Sequence, residues 1–123
     1  MGKMLADAVL DAALAKLATS INQTVCSAEP ANFAGIAAVD LATVVLTAGN
    51  GNGDYVIADD TSGRKVTVAA QNGVAIFASG TATHIAYDDG STLLGVTTCT
   101  SQALTSGGTV DIPSHKFNFT DPT

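Results

Sequence analysis

Near residue 26 the hydrophobic period of this chain changes, and that change leaves few folds open to it. Through residues 3–21, Leu10, Leu14, Leu17 and Ile21 recur at spacings of four, three and four, which is helical period. Leu5, Ala6, Val9 and Ala13 widen the apolar face beyond a narrow seam. Asp7 and Asp11 lie toward the start of this helix, where the macrodipole favours carboxylates. Thr19-Ser20 and Asn22 weaken the pattern and should end it. After Cys26 the text turns to short Thr-, Val- and Ala-rich runs broken by Gly, Asn and Asp, which is the pattern of strands and turns. The helical face has two uses open to it: packing on the chain's own sheet, or contact with another subunit. Leu5, Val9, Leu10, Leu14 and Leu17 are the candidate residues for the second.

The strand region can be read run by run. Pro30 biases Glu29 away from helix, so Cys26–Pro30 is an extended connector. Residues 36–48 hold a continuous apolar, β-branched run and predict a strand. Gly49-Asn-Gly-Asn-Gly-Asp54 is a loop or hairpin tip, and Tyr55–Ala58 a short strand. From Arg64 to Ala70 apolar and polar residues alternate. Gln71-Asn72-Gly73 reads as a tight turn, which pairs that run with Val74–Ser79 as a hairpin. Thr81–Asp88 alternates again, with Ile85 and Tyr87 on one face and His84 and Ala86 on the other. Thr92–Thr98 follows the turn at Asp88-Asp89-Gly90, with Gly95 marking a bulge. Val110–Phe119 is the last strand, with Pro113 at an edge or bulge position. The expected architecture is a single mainly β domain, residues 1–123. It has the N-terminal amphipathic α-helix at 3–21, then a β-sandwich or small barrel of about seven short antiparallel strands over 26–123.

Composition narrows what such a domain does. Only 13% of residues are charged, about half the usual globular share of roughly 25%. Such a surface of Thr, Ser, Asn, Gly and Ala suits a domain covered in part by copies of itself or by a larger partner. The net charge is −6 and ten of the eleven acids are Asp, so the acidity is expected in turns at Asp54, Asp59, Asp60, Asp88 and Asp89. An acidic chain with no basic stripe disfavours nucleic acid. No run of apolar residues is long enough to span a membrane, and Asp7 and Asp11 interrupt any secretory h-region.

Chemistry is thinly supplied. Cys26 and Cys99 form no C-x-x-C pair; they read either as a disulfide or, more plainly, as two buried free thiols. His84 and His115 have Ser and Asp in supply, yet no G-x-S-x-G elbow accompanies them. The Gly49–Asp54 loop lacks the Glu that an EF-hand needs, since the twelfth position is Thr61. It also lacks the following helix of a phosphate loop. No catalytic, cofactor-binding or metal-ligating residue is therefore assigned. With no Trp and two Tyr, a sugar-stacking platform is poorly provided and a carbohydrate-binding module is the least favoured reading. The one basic cluster is Arg64-Lys65, where a turn feeds a strand. It reads as charge protecting an edge strand or as a contact with an acidic partner.

Five stretches, in order, carry a resemblance. They are Val9-Leu-Asp-Ala-Ala-Leu14, Cys26-Ser-Ala-Glu-Pro30, Ser62-Gly-Arg-Lys-Val-Thr-Val68, Gly80-Thr-Ala-Thr-His-Ile-Ala-Tyr-Asp-Asp-Gly-Ser91 and Ser101-Gln-Ala-Leu-Thr-Ser-Gly-Gly108. In these the chain resembles a group of small, mostly uncharacterised tailed-bacteriophage virion structural proteins of the head decoration or cement type. The matches span most of the chain, and the Gly/Asn loop at 49–54 is an addition to the pattern. The resemblance implies a non-enzymatic virion component without cofactor, assembled in the host bacterial cytoplasm. Its implied partners are the major capsid protein or other virion proteins. A homo-oligomer, a trimer by preference, is implied with it. A tail or connector component, such as a fibre adaptor, is the alternative place on the particle.

Overall fold

The computed structural model describes residues 6–61 and 63–119. Helix α1 runs over Asp7–Leu17, four residues shorter at its end than the sequence pattern suggests; residues 1–5, Leu5 among them, lie outside the described part. Ala18 caps it, with backbone N–H bonds back to the last turn, and the Thr19 hydroxyl donates to the Lys16 carbonyl at 2.6 Å. That satisfies carbonyls which a longer helix would have used. Ile21, expected on the helical face, instead enters the sheet: its N–H donates to the Asp88 carbonyl and its carbonyl accepts from Leu46 N–H.

The next strand is one the sequence hides. Strand β1 (Asn22–Cys26) lies at the centre of a four-stranded sheet, between β2 (Asp40–Val45) and β6 (Gly80–Asp88), with β7 (Leu93–Leu104) beyond β6. All pairs are antiparallel. The polar text Asn-Gln-Thr looks like a connector, so the β region was expected only from residue 26. Gln23 and Thr24 are buried and Asn22 half-buried, and each finds a partner across the ladder. Gln23 Nε2 donates to the Tyr87 hydroxyl at 2.8 Å, the hydroxyls of Thr24 and Thr43 lie 3.2 Å apart, and Asn22 Nδ2 donates to Asp88 Oδ1 at 3.0 Å. Burial of polar groups is tolerated where such bonds replace water. Between β1 and β2 the chain covers the outer face of this sheet. The single-turn helix α2 (Phe33–Ile36), capped by Asn32, seats Ile36 on Cys26 and Ala86. The expected unbroken strand at 36–48 is thus a helical turn followed by a shorter strand. As expected, Ile85 and Tyr87 share the core face of β6, while Ala86 lies on the other.

The second half holds one long bent ribbon. Strand β4 (Arg64–Val68) pairs with β9 (His115–Phe119), and β5 (Gln71–Ala75) with β8 (Thr109–Ile112). Val68 faces His115 and Gln71 faces Ile112, so one register runs through the break at Ala69-Ala70 and Pro113-Ser114. The expected hairpin between 64–70 and 74–79 does not form. Gly73, at φ +69°, sits in a bulge of β5 rather than in a turn, and its N–H donates to Asp111 Oδ1 at 2.8 Å. A bulge and a proline break let paired strands bend from one layer to the next. Strand β3 (Tyr55–Asp59) completes a three-stranded sheet in the order β3-β4-β9. Leu94 is the unpaired residue beside Gly95, where the register of β6 and β7 shifts, so the expected bulge is present.

Among the described residues the chain is mainly β, with nine strands in antiparallel sheets, and no barrel closes. Nine replace the expected seven because β1 was hidden and the last run is split at Pro113. One core joins the layers: Val25, Ile85 and Tyr87 from the first sheet, Tyr55, Val66 and Val68 from the second, and Val74, Val110 and Ile112 from the ribbon's far end. Leu14 of α1 is buried among them. The Tyr87 and Phe117 rings meet edge to face at 5.2 Å between the layers, a geometry favoured by the ring quadrupole.

Candidate functional site

Sheet edges are where a β domain most readily meets a partner, because half of an edge strand's N–H and C=O groups lack a ladder. Of the four outer strands of the two larger sheets, β2, β7, β3 and β9, two are covered by the chain itself. The outer side of β2 is closed by Ile76–Ala78: Ala42 bridges Ile76, and the N–H groups of Phe77 and Ala78 reach the Leu41 carbonyl. The outer side of β3 is closed by the Gly/Asn loop. Asn50 bridges Tyr55, Gly51 N–H donates to the Tyr55 carbonyl at 2.8 Å, and Ile57 N–H donates to Asn50 Oδ1 at 2.9 Å. The loop's other side chains are also engaged. Asp54 accepts from Thr47 N–H and Gln71 Nε2, and Asn52 Nδ2 donates to the Ala48 carbonyl. The loop is an edge cover held by its own amides and carboxylate.

The other two edges are open. Strand β7 has no ladder partner beyond β6, and β9 none beyond β4, among the described residues. The tight connection Thr105–Gly108 joins β7 to β8, yet the two do not pair, and an open seam runs between β7 and the β8–β9 limb. Two hollows mark it. One of about 180 Å³ lies at the β8 end beside Cys99, Val110 and Ile112. The larger, about 510 Å³, lies between β7, β9 and the last turns of α1. Leu17, Gly95 and Phe117 meet in its wall: a Cβ on Gly95 would lie 3.1 Å from Leu17 Cδ1 and 3.8 Å from Phe117 Cε1. Glycine is what lets helix and strand approach so closely. Lys16, His115 and Lys116 line this groove, and among the described residues no Asp or Glu does.

The residues singled out in the sequence fall around α1. Leu10 and Leu14 are inside the chain's own core, Leu17 packs at the groove, and Val9 is 57% exposed. Arg64 and Lys65 lie on opposite faces of β4, which is the interior strand of its sheet, so the reading of a charged edge strand does not hold. Arg64 turns toward α1 and donates from Nε and Nη2 to the Asp11 carboxylate at 2.7 and 3.2 Å, and from Nη1 to Asp59 at 2.7 Å. This forked pair, with Asp11 first and Asp59 second, holds the guanidinium above its already high pKa. Lys65 is on the outer face, opposite Ala58 and Asn118. The sequence reading passed over the seam. Its available signal was the twelve-residue run Leu93–Leu104, which holds neither a charge nor a proline.

Burial and hydrogen bonding shift several other ionisable groups. Burial lifts the Cys26 thiol to about 11, and Cys99 is raised as well; both are free thiols. Burial pushes the Tyr87 hydroxyl to about 12 and Tyr55 higher still, while Tyr55 donates to the Ser20 carbonyl at 2.9 Å. Burial lowers His115, whose ring stands edge-on to Phe117 at 4.7 Å, and His84 Nδ1 lies 2.8 Å from the Thr83 hydroxyl. Asp60 and Asp89 are lowered, first by the backbone N–H bonds of Thr61 and Thr92 respectively. Among the described residues no group of three His, Cys, Asp or Glu is placed to hold a metal ion, and no helix is long and apolar enough to cross a membrane.

Comparison with protein-family models, with curated proteins and with solved structures gave no match to this chain.

Proposed function

We propose that this chain is a non-enzymatic structural protein of a bacteriophage particle, a decoration protein that binds the assembled head and stabilises it. The observation that carries this reading is the ordered set of five stretches, from Val9–Leu14 to Ser101–Gly108, that resemble small virion proteins. The rest of the molecule is compatible with it. The body is small, weakly charged and mainly β, and it presents open edges rather than a deep polar cleft. Binding only the assembled lattice stabilises that lattice by mass action. Many copies, each with a modest interface, add through multivalency.

A tail or connector adaptor is the alternative place on the particle. It calls for an apolar helix face free to enter a ring of partners, whereas Leu10 and Leu14 are buried in this chain's own core. That favours the head. A sugar-binding role is disfavoured further, because both tyrosines are buried. The test is complementation of particles grown without this protein. Such particles should release DNA at a lower temperature than complete ones, and added purified protein should bind their heads saturably and restore the difference. Particles of unchanged stability to which the protein does not bind would remove the proposal.

A further inference from the structure

We infer that the seam between β7 and β9 is a strand-docking site, which takes an extended, acidic segment of a partner protein along the outer edge of β7. This stands on the geometry of the seam and not on any place in a virion. Four observations carry it. First, the chain covers its β2 and β3 edges with its own backbone, whereas no described residue pairs with the outer edge of β7. Second, Leu93–Leu104 contains no charged residue and no proline, two of the devices that keep edges apart, and between its bulges at Leu94 and opposite Thr83 the stretch Gly95–Thr98 stays in regular register. Third, the edge adjoins a groove of about 510 Å³ where Leu17 and Phe117 meet at Gly95, a place for an apolar side chain of the incoming strand.

The fourth observation selects the occupant. On a chain of net charge −6, this groove is lined among the described residues by Lys16, His115 and Lys116 and by no carboxylate. Lys116 shares its ammonium with Asp60 at 3.2 Å; Lys16 makes no ion pair among the described residues, although its charge reaches Asp89 and helps to lower that carboxyl. An added strand of about five or six residues would satisfy the free edge with main-chain bonds. A carboxylate on it would answer Lys16. A second copy of this chain is the poorer occupant, because its open strands, Leu93–Leu104 and His115–Phe119, carry no carboxylate to set against Lys16.

Two fluorescent peptides of about ten residues, alternating Val and Thr, test this. One carries two Asp; the other carries Lys at the same positions. The acidic peptide should bind and slow amide exchange within residues 93–104. The Lys peptide should bind roughly tenfold or more weakly, as a like-charge contact replaces a favourable one. A version of the acidic peptide with alternate amides N-methylated should lose binding to a similar degree, since it keeps charge and shape but lacks main-chain donors. Lys16→Glu, a surface change, should reverse the preference between the two peptides. Equal binding of both charges, full binding by the N-methylated peptide, or protection outside 93–104 would overturn the inference. So would the absence of binding at millimolar peptide. Protection of 93–104 that rises with protein concentration alone would assign the edge to a second copy and overturn it as well.

Discussion

At the scale of single residues, the centre of this protein is more polar than its strand text suggests, and the polar groups there are finely balanced. The Tyr87 hydroxyl is the partner of Gln23 Nε2, while Gln23 Oε1 and Ser20 Oγ are buried without a protein partner. Removing one member of such a pair leaves the other desolvated and unpaired, whereas removing both does not. Tyr87→Phe should therefore lower stability by about 1–3 kcal/mol in denaturant unfolding. The double variant with Gln23→Leu should recover most of that loss; a double variant as weak as the sum of the singles would contradict the balance. Cys26 gives a second residue-scale expectation. It has no exposed surface, and its thiol is raised to about 11 by burial and then by Asp40, so little thiolate exists at neutral pH. Mass-resolved alkylation in native buffer should label the half-buried Cys99 first and Cys26 only at the rate of unfolding.

At the scale of elements, the turns and caps decide which strands meet. The Gly/Asn loop covers β3 because Gly49, Gly51 and Gly53 all take positive φ, a conformation in which other residues are strained. Gly49 is the tightest of them: a Cβ there would fall 2.4 Å from Asn52 Nδ2. Gly49→Ala should lower stability by about 1–2 kcal/mol and speed amide exchange at Gly51 and Ile57, whose N–H groups bond the Tyr55 carbonyl and Asn50 Oδ1. Unchanged exchange there would mean the loop is not an edge cover. Much of this level was legible in sequence. The helical spacing of Leu10, Leu14 and Leu17, the alternation at Ile85 and Tyr87, and the bulge beside Gly95 all follow from local period. Strand β1 was not legible, because its burial depends on partners at Thr43, Tyr87 and Asp88 that are distant in the chain. Nor was the β4–β5 continuity: Asn72-Gly73 favours a turn locally, and only the Asp111 contact and the register with β8 turn it into a bulge. The open seam was hidden for the same reason, since an edge is defined by the absence of a neighbour and not by any residue of its own.

At the scale of the whole molecule, two layers and a bent ribbon share one core but leave one side unzipped, with α1 plugging part of the opening. His115 stands at that opening, so its protonation reports on the layers. Its folded pKa lies below the unfolded value of about 6.5. The unfolded chain therefore binds the extra proton more readily, and the stability this group supports at neutral pH is lost as pH falls below about 6.5. Asp60 and Asp89 are also depressed, so their contribution persists above about 3.9 and is lost below it. The melting temperature should thus hold level near neutral pH and fall in two stages on acidification. His115→Asn should flatten the first stage; an unaltered slope in that variant would assign it to another group.

The place of the protein in an assembly belongs to the same scale, and copy number on purified particles tests it most directly. Quantitative mass spectrometry against the major capsid protein should give a fixed simple ratio, about one copy per capsid subunit or about one third of that, as capsid symmetry requires of a decoration protein. About 6 or 12 copies, the multiplicity of a ringed connector, would move the protein to the tail. Absence from the particle would contradict the proposed function outright.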